Sequence, residues 1–566
     1  MSAVSSQPRA PPSVNLLLAS REMSSLRPQD SSGLAAPDAT FGPARDFGLL
    51  KRVSPGLVLF LLAFLTALLV MPGTWPPVSD TALRYQVTAW LWTSHTPDQG
   101  IPGRGGMLCP LYGIGQSLVM LPADLVASPF SADLGKRFFL VSYLTFPLVN
   151  ALVVWVGYRL LLAFAFTVPQ AIAGSLALLF GSTFLWHCQN NQENNLLLLN
   201  TTIGFLFFLR YTQVPRKYYL AIGSLALGFN LLVRLTTLAD LCCVLVFPVV
   251  LESLAGRPFR AWSTRCSRYL ADFFLVGAPV ILGFLVLDRL YQYVRFGTLT
   301  DTYIGRWAQG IRSADPSLPA SYPFSGSFLE GFFGPLIFPN KSVFLYDPLF
   351  TLACIAMFAT WRRLSQPLRA LFICVILLLF GTISGYARLV FWSGETSWGD
   401  RYVTTPVFLG ALFAVPVCLK YTRLFLRSQT RLAMHSLLAL IICMQLISLL
   451  WPSWVERIQA VQHPKDPSEQ EAYFHLGMRV QNIAARLTGN WYNWGLNHSR
   501  SGDEVGPHPV FLIPFATSQH LSAARLLTIK GAWFAALALV FGCLLWLRKH
   551  ARLADAIDAS RGHACN

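Results

Sequence analysis

Long apolar runs alternate with short polar or basic stretches along most of the chain. A bilayer core of about 30 Å is crossed by roughly 20 apolar helical residues, which is the length of many of these runs. The pattern predicts twelve membrane-spanning helices, at 53–71, 137–158, 170–186, 194–210, 218–233, 236–253, 269–291, 343–361, 368–390, 402–421, 433–453 and 530–548. The chain is therefore predicted to be an all-α polytopic membrane protein.

One further apolar stretch, 111–127, is short and is interrupted by glycines and by Pro122. We interpret it as an interfacial helix that lies on the outer leaflet. Counting it as a span would move every later basic cluster, such as the four arginines of 257–268, to the outside. Because Lys and Arg collect in cytoplasmic loops, the interfacial interpretation is favoured.

Composition excludes a soluble protein. Of the 566 residues 54% are hydrophobic and only 13% are charged, with a mean hydropathy of +0.48. Soluble proteins carry about 25% charged residues. The net charge of +17 could indicate a nucleic-acid partner. Since the basic residues gather in the predicted cytoplasmic loops, it indicates membrane topology instead, and we expect no nucleic acid to bind.

The same pattern divides the chain into segments. Residues 1–50 are rich in Ser, Pro and Ala and are predicted to form a disordered cytoplasmic tail. Three further segments follow. They are a transmembrane module at 51–453 with outer loops at 72–136 and 292–342, an extracytoplasmic segment at 454–529, and a last transmembrane helix with a cytoplasmic tail at 530–566.

Several charged residues fall on the predicted outer side, where basic residues are unusual and invite a functional explanation. The acids are Asp80, Glu193, Asp301, Glu330, Glu395 and Asp400, and the basic residues are Arg84, Arg104, Arg234, Lys341, Arg388 and Arg401. Asp80 has two interpretations. It can stabilise a helix N-terminus with Arg84 as an i,i+4 partner, or it can act as a general base at the membrane surface.

Three other stretches carry candidate chemistry. Tyr112 and Gln116 would share one face of the interfacial helix, as membrane anchors or as the entrance for a lipid substrate. "WHCQNNQENN", 186–195, is either a solvated turn or contains metal ligands in His187 and Glu193. Arg234 at a span end needs a partner or water, and Asp240 is its candidate counter-ion.

Two later stretches return to the membrane with basic residues. "GPLIFPNKSVFLYDPLF", 334–350, contains Lys341, which suits a phosphate at headgroup depth but can also simply reach for water. "WSGETSWGDRYVTTP", 392–406, adds Arg401 and two tryptophans in the same layer.

With these residues the chain resembles the GT-C superfamily of membrane glycosyltransferases. The likeness is to bacterial phospholipid-carrier-dependent enzymes related to protein O-mannosyltransferases and aminoarabinose transferases. It rests on an ordered set that covers most of 53–421: Asp80 in the first outer loop, "PLYGIGQSLVMLP" at 110–122, "LVRLT" at 232–236, "IFPNKSVFLYDP" at 337–348 and "SWGDRY" at 397–402.

The resemblance implies a GT-C-type helical bundle that transfers a sugar from a polyprenyl-phosphate donor to a hydroxyl acceptor, with inversion and with Asp80 as the base. The acceptor would be a glycan, lipid or protein. The site would face the periplasm or exterior of a bacterial inner membrane. Whether a divalent metal takes part stays open. The substrate-binding residues would be Arg84, Tyr85, Tyr112, Gln116, Glu193, Arg234, Lys341, Tyr346, Arg388, Trp398, Arg401 and Tyr402.

The chain also departs from the family pattern. Where relatives often have a second acid beside the first-loop Asp, this chain has Ser79 and Thr81, and the usual "YSP" reads "YDP" with Asp347. Two other protein classes stay open. A transporter or flippase would use charged residues along a substrate path, but the charges gather at one face rather than at the midplane. A scaffolding protein would leave the outer basic residues unexplained.

Overall fold

The computed structural model describes residues 54–72, 80–394, 397–422, 428–450, 456, 474–488, 512–516 and 522–564. Its regular structure is helical except for a short antiparallel hairpin, in which Ile101–Pro102 (β1) pairs with Leu108–Cys109 (β2). The helices of the first half are α1 Pro55–Val70, α2 Asp80–Trp90, α3 Gly115–Ala127, α4 Leu134–Ala163, α5 Val168–Gly181, α6 Phe184–Gln189, α7 Asn194–Gln213, α8 Lys217–Val233, α9 Leu238–Leu254 and α10 Phe259–Asp272.

The second half continues from α10 through a π-helical turn, Phe273–Gly277, into α11. Its helices are α11 Ala278–Phe296, α12 Tyr303–Ala314, α13 Phe328–Ile337, α14 Val343–Tyr346, α15 Pro348–Ala359, α16 Gln366–Tyr386, α17 Thr404–Tyr421, α18 Ser428–Ser448, α19 His475–Leu487, α20 Ile513–Ala516 and α21 Ala523–Ala564.

Each predicted span overlaps a helix, although two of them are divided: 170–186 between α5 and α6, and 343–361 at Asp347 between α14 and α15. Seven helical stretches within the described residues are long and apolar enough to cross a membrane: Leu134–Ala163, Leu235–Leu254, Phe259–Phe296, Gln366–Tyr386, Thr404–Tyr421, Thr430–Ser448 and Ala523–Ala554. The prediction of an all-α integral membrane protein is confirmed. The predicted number of twelve spans is not established, because α1, α5, α8 and α15 are shorter than a full span and α7, although 20 residues long, is not among the seven.

Helix α17 lies at the centre of the bundle. Its residues from Thr404 to Cys418 are all buried, and they pack against α5, α15 and α7. Gly174 of α5 permits this close approach, since a Cβ there would lie 2.6 Å from the carbonyl oxygen of Leu412. Small residues serve this purpose in membranes, where helices associate by van der Waals contact. The loop before α17, at 397–403, is therefore attached to a helix that is enclosed along most of its length.

The stretch interpreted as an interfacial helix forms α3, but the helix begins only at Gly115. The expectation that Tyr112 and Gln116 share one helical face is therefore wrong. Gly113 instead packs against the end of α8, because a Cβ at Gly113 would lie 2.2 Å from the carbonyl oxygen of Leu232. The glycines of "PLYGIG" thus bring the first outer loop directly beside Arg234.

Arg295, at the end of α11, supports the same loop from the other side. Its Nη1 donates to the carbonyl oxygens of Pro110 at 2.6 Å and Tyr112 at 3.1 Å. The predicted tail at 1–50, Glu395 and most of the segment 454–529 lie outside the described residues.

Candidate active site

Charged side chains from distant parts of the chain meet at one end of the bundle, where α2, α7, α9 and α17 begin and α8 and α16 end. Asp80, the first residue of α2, accepts a hydrogen bond from Arg401 at 3.1 Å across 321 residues of sequence. The pair is only partly enclosed, with Asp80 29% and Arg401 18% exposed. Asp80 is therefore a carboxylate that is held in place and still reachable.

Glu193 forms a second, buried arrangement beside this pair. One of its oxygens accepts from Arg84 at 2.8 Å and the other from Arg234. Burial alone would raise the pKa of Glu193, but the guanidinium groups of Arg234, Arg84 and Arg401 outweigh it and keep the pKa below its ordinary value. Glu193 is therefore ionised and is fully occupied by the two arginines.

These contacts correct two expected pairings. Arg84 does not hold Asp80, because its Nη2 binds Glu193 while its Nε and Nη1 have no hydrogen-bond partner among the described residues. Asp240 is not the counter-ion of Arg234, since Arg234 binds Glu193 and the Asp240 carboxylate accepts from Thr201 at 3.1 Å. Both errors came from seeking partners nearby in the sequence.

Tyr112 lies close to both ion pairs. The Arg84 guanidinium lies 3.9 Å from the centre of the Tyr112 ring. Burial and the negative charge of Asp80 raise the pKa of the phenol well above its ordinary value, so the phenol stays protonated beside the carboxylate.

An aromatic wall covers Arg234 and Arg401. The Tyr402 ring centre lies 5.5 Å from the Arg234 guanidinium and 5.4 Å from that of Arg401. On its other side Tyr402 stacks on Tyr386, with ring centres 4.2 Å apart, and the Tyr386 hydroxyl meets the Thr236 hydroxyl at 2.6 Å. A pocket opens between this wall and the start of α7, and both arginines line it.

The electrostatics of the cluster favour an anion. Three guanidinium groups, those of Arg84, Arg234 and Arg401, face the two carboxylates of Asp80 and Glu193. Because Arg401 and Arg234 also line the pocket, an anionic group that enters it meets two arginines at once.

Lys341 holds the loop that carries Arg401. Its ammonium is fully buried and donates to the carbonyl oxygens of Ser397 at 2.8 Å and Gly399 at 3.3 Å. Lys341 therefore holds the loop that carries Arg401, and its expected contact with a phosphate stays a prediction.

Two predicted substrate residues, Trp398 and Tyr346, belong to the packing under the same loop. Both are fully buried, and their rings meet edge to face with centres 5.2 Å apart. Arg479 of α19 lies 5.0 Å from the Trp398 ring centre and binds the buried carboxylate of Glu456. Part of the segment 454–529 therefore packs against the loop.

Two other predicted residues lie outside this cluster. The Tyr85 hydroxyl donates to Asp124 at 2.7 Å, in a buried network in which Arg137 binds the same carboxylate. Arg388 has an exposed side chain, and its backbone carbonyl accepts from Gly326. Neither side chain forms an ion pair or hydrogen bond with the cluster among the contacts of the described residues. Gln116, in contrast, is buried beside the cluster and donates to the Asn191 carbonyl at 2.9 Å.

The donor set does not fit a divalent metal. Both oxygens of Glu193 bind guanidinium groups, and Nδ1 of His187 lies 3.4 Å from the Asn194 amide nitrogen. Within the described residues no group of three or more His, Cys, Asp and Glu side chains is arranged to hold a metal. We therefore assign Glu193 to the positioning of Arg84 and Arg234.

Sequence reasoning missed several residues of the site. Tyr386, Thr236 and Asn194 line the pocket, and the Asn194 amide also donates to the Arg401 carbonyl at 3.0 Å. Tyr303 of α12 lies close enough for its phenol to interact electrostatically with Arg234 and Glu193. A signal was available for Asn194, which belongs to the unusually polar stretch 186–195, and for Thr236, which ends the stretch "LVRLT" at 232–236.

No family model matches this chain, and no curated protein matches it in sequence. Solved structures of an oligosaccharyltransferase from the archaeon Archaeoglobus fulgidus are similar to it. The apo form has a TM-score of 0.43 and 14% identity, over 76% of this chain and 60% of that chain. The complex with an inhibitory peptide and a dolichol-phosphate has a TM-score of 0.38 and 12% identity, over 84% and 61%.

A third structure, tethered to an acceptor peptide that contains the NVT sequon, has a TM-score of 0.40 and 12% identity, over 82% of this chain and 60% of that chain. The present chain thus spans about three fifths of the length of the archaeal enzyme. The identity to these structures is low, so function is inferred from the side chains of the site.

Proposed function

We propose that this protein transfers a sugar from a polyprenyl-phosphate carrier to a hydroxyl group of an acceptor. The observation that carries the proposal is the partly exposed Asp80 carboxylate, held 3.1 Å from Arg401 in a cluster with an excess of guanidinium groups. A carboxylate beside bound cations suits a reaction in which one hydroxyl loses a proton while a phosphate leaves.

In the proposed reaction the donor phosphate lies against Arg401 and Arg234 in the pocket. Asp80 takes the proton of the acceptor hydroxyl, whose oxygen forms a bond to the anomeric carbon of the sugar. The bond from that carbon to the phosphate oxygen breaks at the same time, and the carrier phosphate leaves as an anion. Because both oxygens of Glu193 bind arginines, we assign only Asp80 to the reaction, and a single reacting carboxylate suits direct displacement with inversion.

The charge that develops on the leaving phosphate is the main barrier that the site must lower. Preorganised donors of this kind are worth about 3–4 kcal/mol each. Arg401 has two roles here, since the same guanidinium that neutralises the phosphate also orients the base. Tyr402 and Tyr386 fix the planes of the arginines by stacking, and the aromatic wall gives the pocket an apolar side.

The acceptor is proposed to be a glycan, lipid or protein hydroxyl on the extracytoplasmic side. This orientation is supported by the positions of the basic clusters, since Arg257, Arg362 and Arg363 lie at helix ends opposite to the site. In a bacterial cell the protein would lie in the inner membrane with the site facing the periplasm or exterior.

The test is transfer of radiolabelled sugar from a polyprenyl phosphate to endogenous acceptors in membranes that contain the protein. We expect transfer by the wild type and a loss of at least about 100-fold in Asp80→Asn, because general-base catalysis contributes roughly 10²–10⁴. Asp133→Asn is the matched control. It makes the same change at the exposed N-cap of α4, where Asn caps as well as Asp.

Full activity of Asp80→Asn would contradict the role of the base. Movement of the labelled lipid across the membrane without any glycosylated product would contradict the enzyme and indicate a flippase.

A further inference from the structure

Basic side chains gather at the end of the bundle that lies opposite to the candidate active site. Helix α7 begins beside Arg401 and has 20 residues, so its far end lies about 30 Å away, which is the thickness of a bilayer core. Four basic side chains lie there: Arg210 in the last turn of α7, Arg216 and Lys217 at the start of α8, and Arg268 on α10. We call these four residues the basic patch.

The carboxylate of Asp272 joins the two parts of the basic patch. It pairs with Nζ of Lys217 at 3.3 Å and accepts from the Tyr211 hydroxyl at 2.8 Å. Arg268 lies one helical turn before it on α10. Arg216 and Arg268 are exposed, and neither guanidinium group forms an ion pair or a hydrogen bond with any residue that the structure describes. The basic patch therefore carries more positive charge than Asp272 neutralises.

Apolar side chains are exposed directly beside these charges. Val214 and Tyr218 are exposed in the turn between α7 and α8, and Leu270 and Phe274 are exposed on the helix that carries Arg268. Helix α10 continues without a break into α11, and the combined helix includes a stretch that is long and apolar enough to cross a membrane. The surface thus changes from charged to apolar within two helical turns, as it does where a helix enters a bilayer.

Helix α10 has the character of a helix at a membrane surface. Phe259, at its start, is 77% exposed and stacks on Trp262 with ring centres 5.7 Å apart. The helix is held to α9 by Tyr269, whose buried ring is anchored by a hydrogen bond from its hydroxyl to the Leu245 carbonyl at 2.8 Å. Its arginines are exposed. Basic helices that also expose aromatic side chains bind at the boundary between headgroups and acyl chains.

We propose that the basic patch binds the headgroup phosphate of an anionic phospholipid, while the acyl chains of the lipid lie against Leu270 and Phe274. Arg216 and Arg268 supply the planar donors that suit a phosphate. A zwitterionic lipid is bound less tightly, because the basic patch repels the cation of its headgroup. A nucleic acid also offers phosphates, but it has no acyl chains to cover Leu270 and Phe274. The inference goes beyond the proposed function and does not depend on it.

The test measures how tightly the purified full-length protein in detergent binds phosphatidylglycerol and phosphatidylcholine, in separate titrations followed by native mass spectrometry. Each basic side chain near an anionic lipid contributes roughly a 5-fold factor to binding. With one such factor for each unpaired arginine, the wild type is expected to prefer phosphatidylglycerol by about 25-fold. Arg216→Gln/Arg268→Gln should bind the two lipids within about 2-fold of each other, because it removes both factors.

Two further variants complete the design. Arg216→Lys/Arg268→Lys keeps both charges and should lose only about 5-fold or less of the preference, because an ammonium does not bind a phosphate through two parallel donors. Arg362→Gln/Arg363→Gln is the matched control. It removes the same charge from exposed arginines in the turn between α15 and α16 and should leave the preference unchanged.

Other results would overturn the inference. Equal binding of the two lipids by the wild type means that the basic patch does not select headgroup charge, and no variant is needed to interpret it. An unchanged preference in Arg216→Gln/Arg268→Gln means that the lipid binds elsewhere. An equal loss in the control variant means that only the overall charge at this end matters. Displacement of the lipid by a labelled single-stranded oligonucleotide indicates a nucleic-acid surface instead. Because none of these measurements uses sugar transfer, failure of the proposed function and failure of this inference are distinguishable.

Discussion

The buried carboxylate Glu193 provides the sharpest test of the charge arrangement. Glu193→Gln keeps the shape of the side chain but removes the negative charge that Arg84 and Arg234 share. We expect the folded protein to lose stability, because two enclosed guanidinium groups are left without their counter-ion. Asp80→Asn, which likewise replaces a carboxylate by an amide, should be nearly neutral for stability, although we expect it to lower transfer by at least about 100-fold.

The magnitudes follow from burial. Glu193 and Arg84 are 4% and 2% exposed, so solvent screens their interaction little, and breaking such a pair by removing one partner costs about 3–5 kcal/mol. Asp80 and Arg401 are 29% and 18% exposed, and exposed pairs contribute about 0.2–1 kcal/mol. The expected loss in unfolding free energy is therefore several times larger for Glu193→Gln than for Asp80→Asn.

The assay is denaturant unfolding of the purified protein in detergent micelles, followed by tryptophan fluorescence. The double variant Arg84→Gln/Glu193→Gln should be less destabilised than the sum of the two single variants by at least about 1 kcal/mol, because it removes both charges of one pair. Equal destabilisation by Glu193→Gln and Asp80→Asn, or strict additivity in the double variant, would refute the reasoning.

Three further predictions concern neighbouring residues. Arg401→Gln should lower the rate constant for transfer by about 100- to 1,000-fold in single-turnover measurements, because it removes the cation at the leaving phosphate; a change in KM alone would contradict that role. Lys341→Met leaves buried carbonyl oxygens of the Arg401 loop unpaired. It should lower the free energy of unfolding by about 1–3 kcal/mol and should also lower kcat. An unchanged kcat would show that the loop does not depend on Lys341. Burial, assisted by the charge of Arg401, lowers the pKa of His187 from 6.5 to about 3. Between these two pH values the unfolded chain binds a proton at His187 and the folded chain does not. The free energy of unfolding should therefore fall as the pH drops from about 6.5 towards 3. His187→Asn should flatten that part of the profile of unfolding midpoints against pH, and an unchanged profile would contradict the assignment.

Much of the helical framework could be predicted from apolar runs because bilayer thickness limits helix length wherever the chain crosses it. The predicted span at 343–361 shows where this reasoning stops, since buried Asp347 divides it into two short helices. Asp347 accepts both the backbone N–H and the hydroxyl of Thr183 at 2.7 Å. The sequence pattern shows the acid as an interruption of the apolar run, but it does not show that Thr183, from the turn between α5 and α6, donates hydrogen bonds to it.

The partners of the charged residues could not be predicted in the same way. Asp80, Glu193, Arg234 and Arg401 could be recognised individually, because charges at the outer ends of apolar helices are costly and few. The pairings taken from sequence spacing, Arg84 with Asp80 and Arg234 with Asp240, were wrong. Spacing describes neighbours along the chain, whereas Glu193 approaches from the turn before α7 and Arg401 from the loop before α17.

By itself the sequence determined that this is a helical membrane protein, roughly where its helices lie, and which charged side chains are placed at helix ends. Those properties depend on residues that are close along the chain and on the thickness of the bilayer. Only the tertiary structure decided that Glu193 binds two arginines, that Arg401 holds Asp80, and that Lys341 supports a loop. The reason is physical: the energy of an ion pair depends on distance and burial, and both are set by how glycine-lined helices such as α5 and α17 pack together.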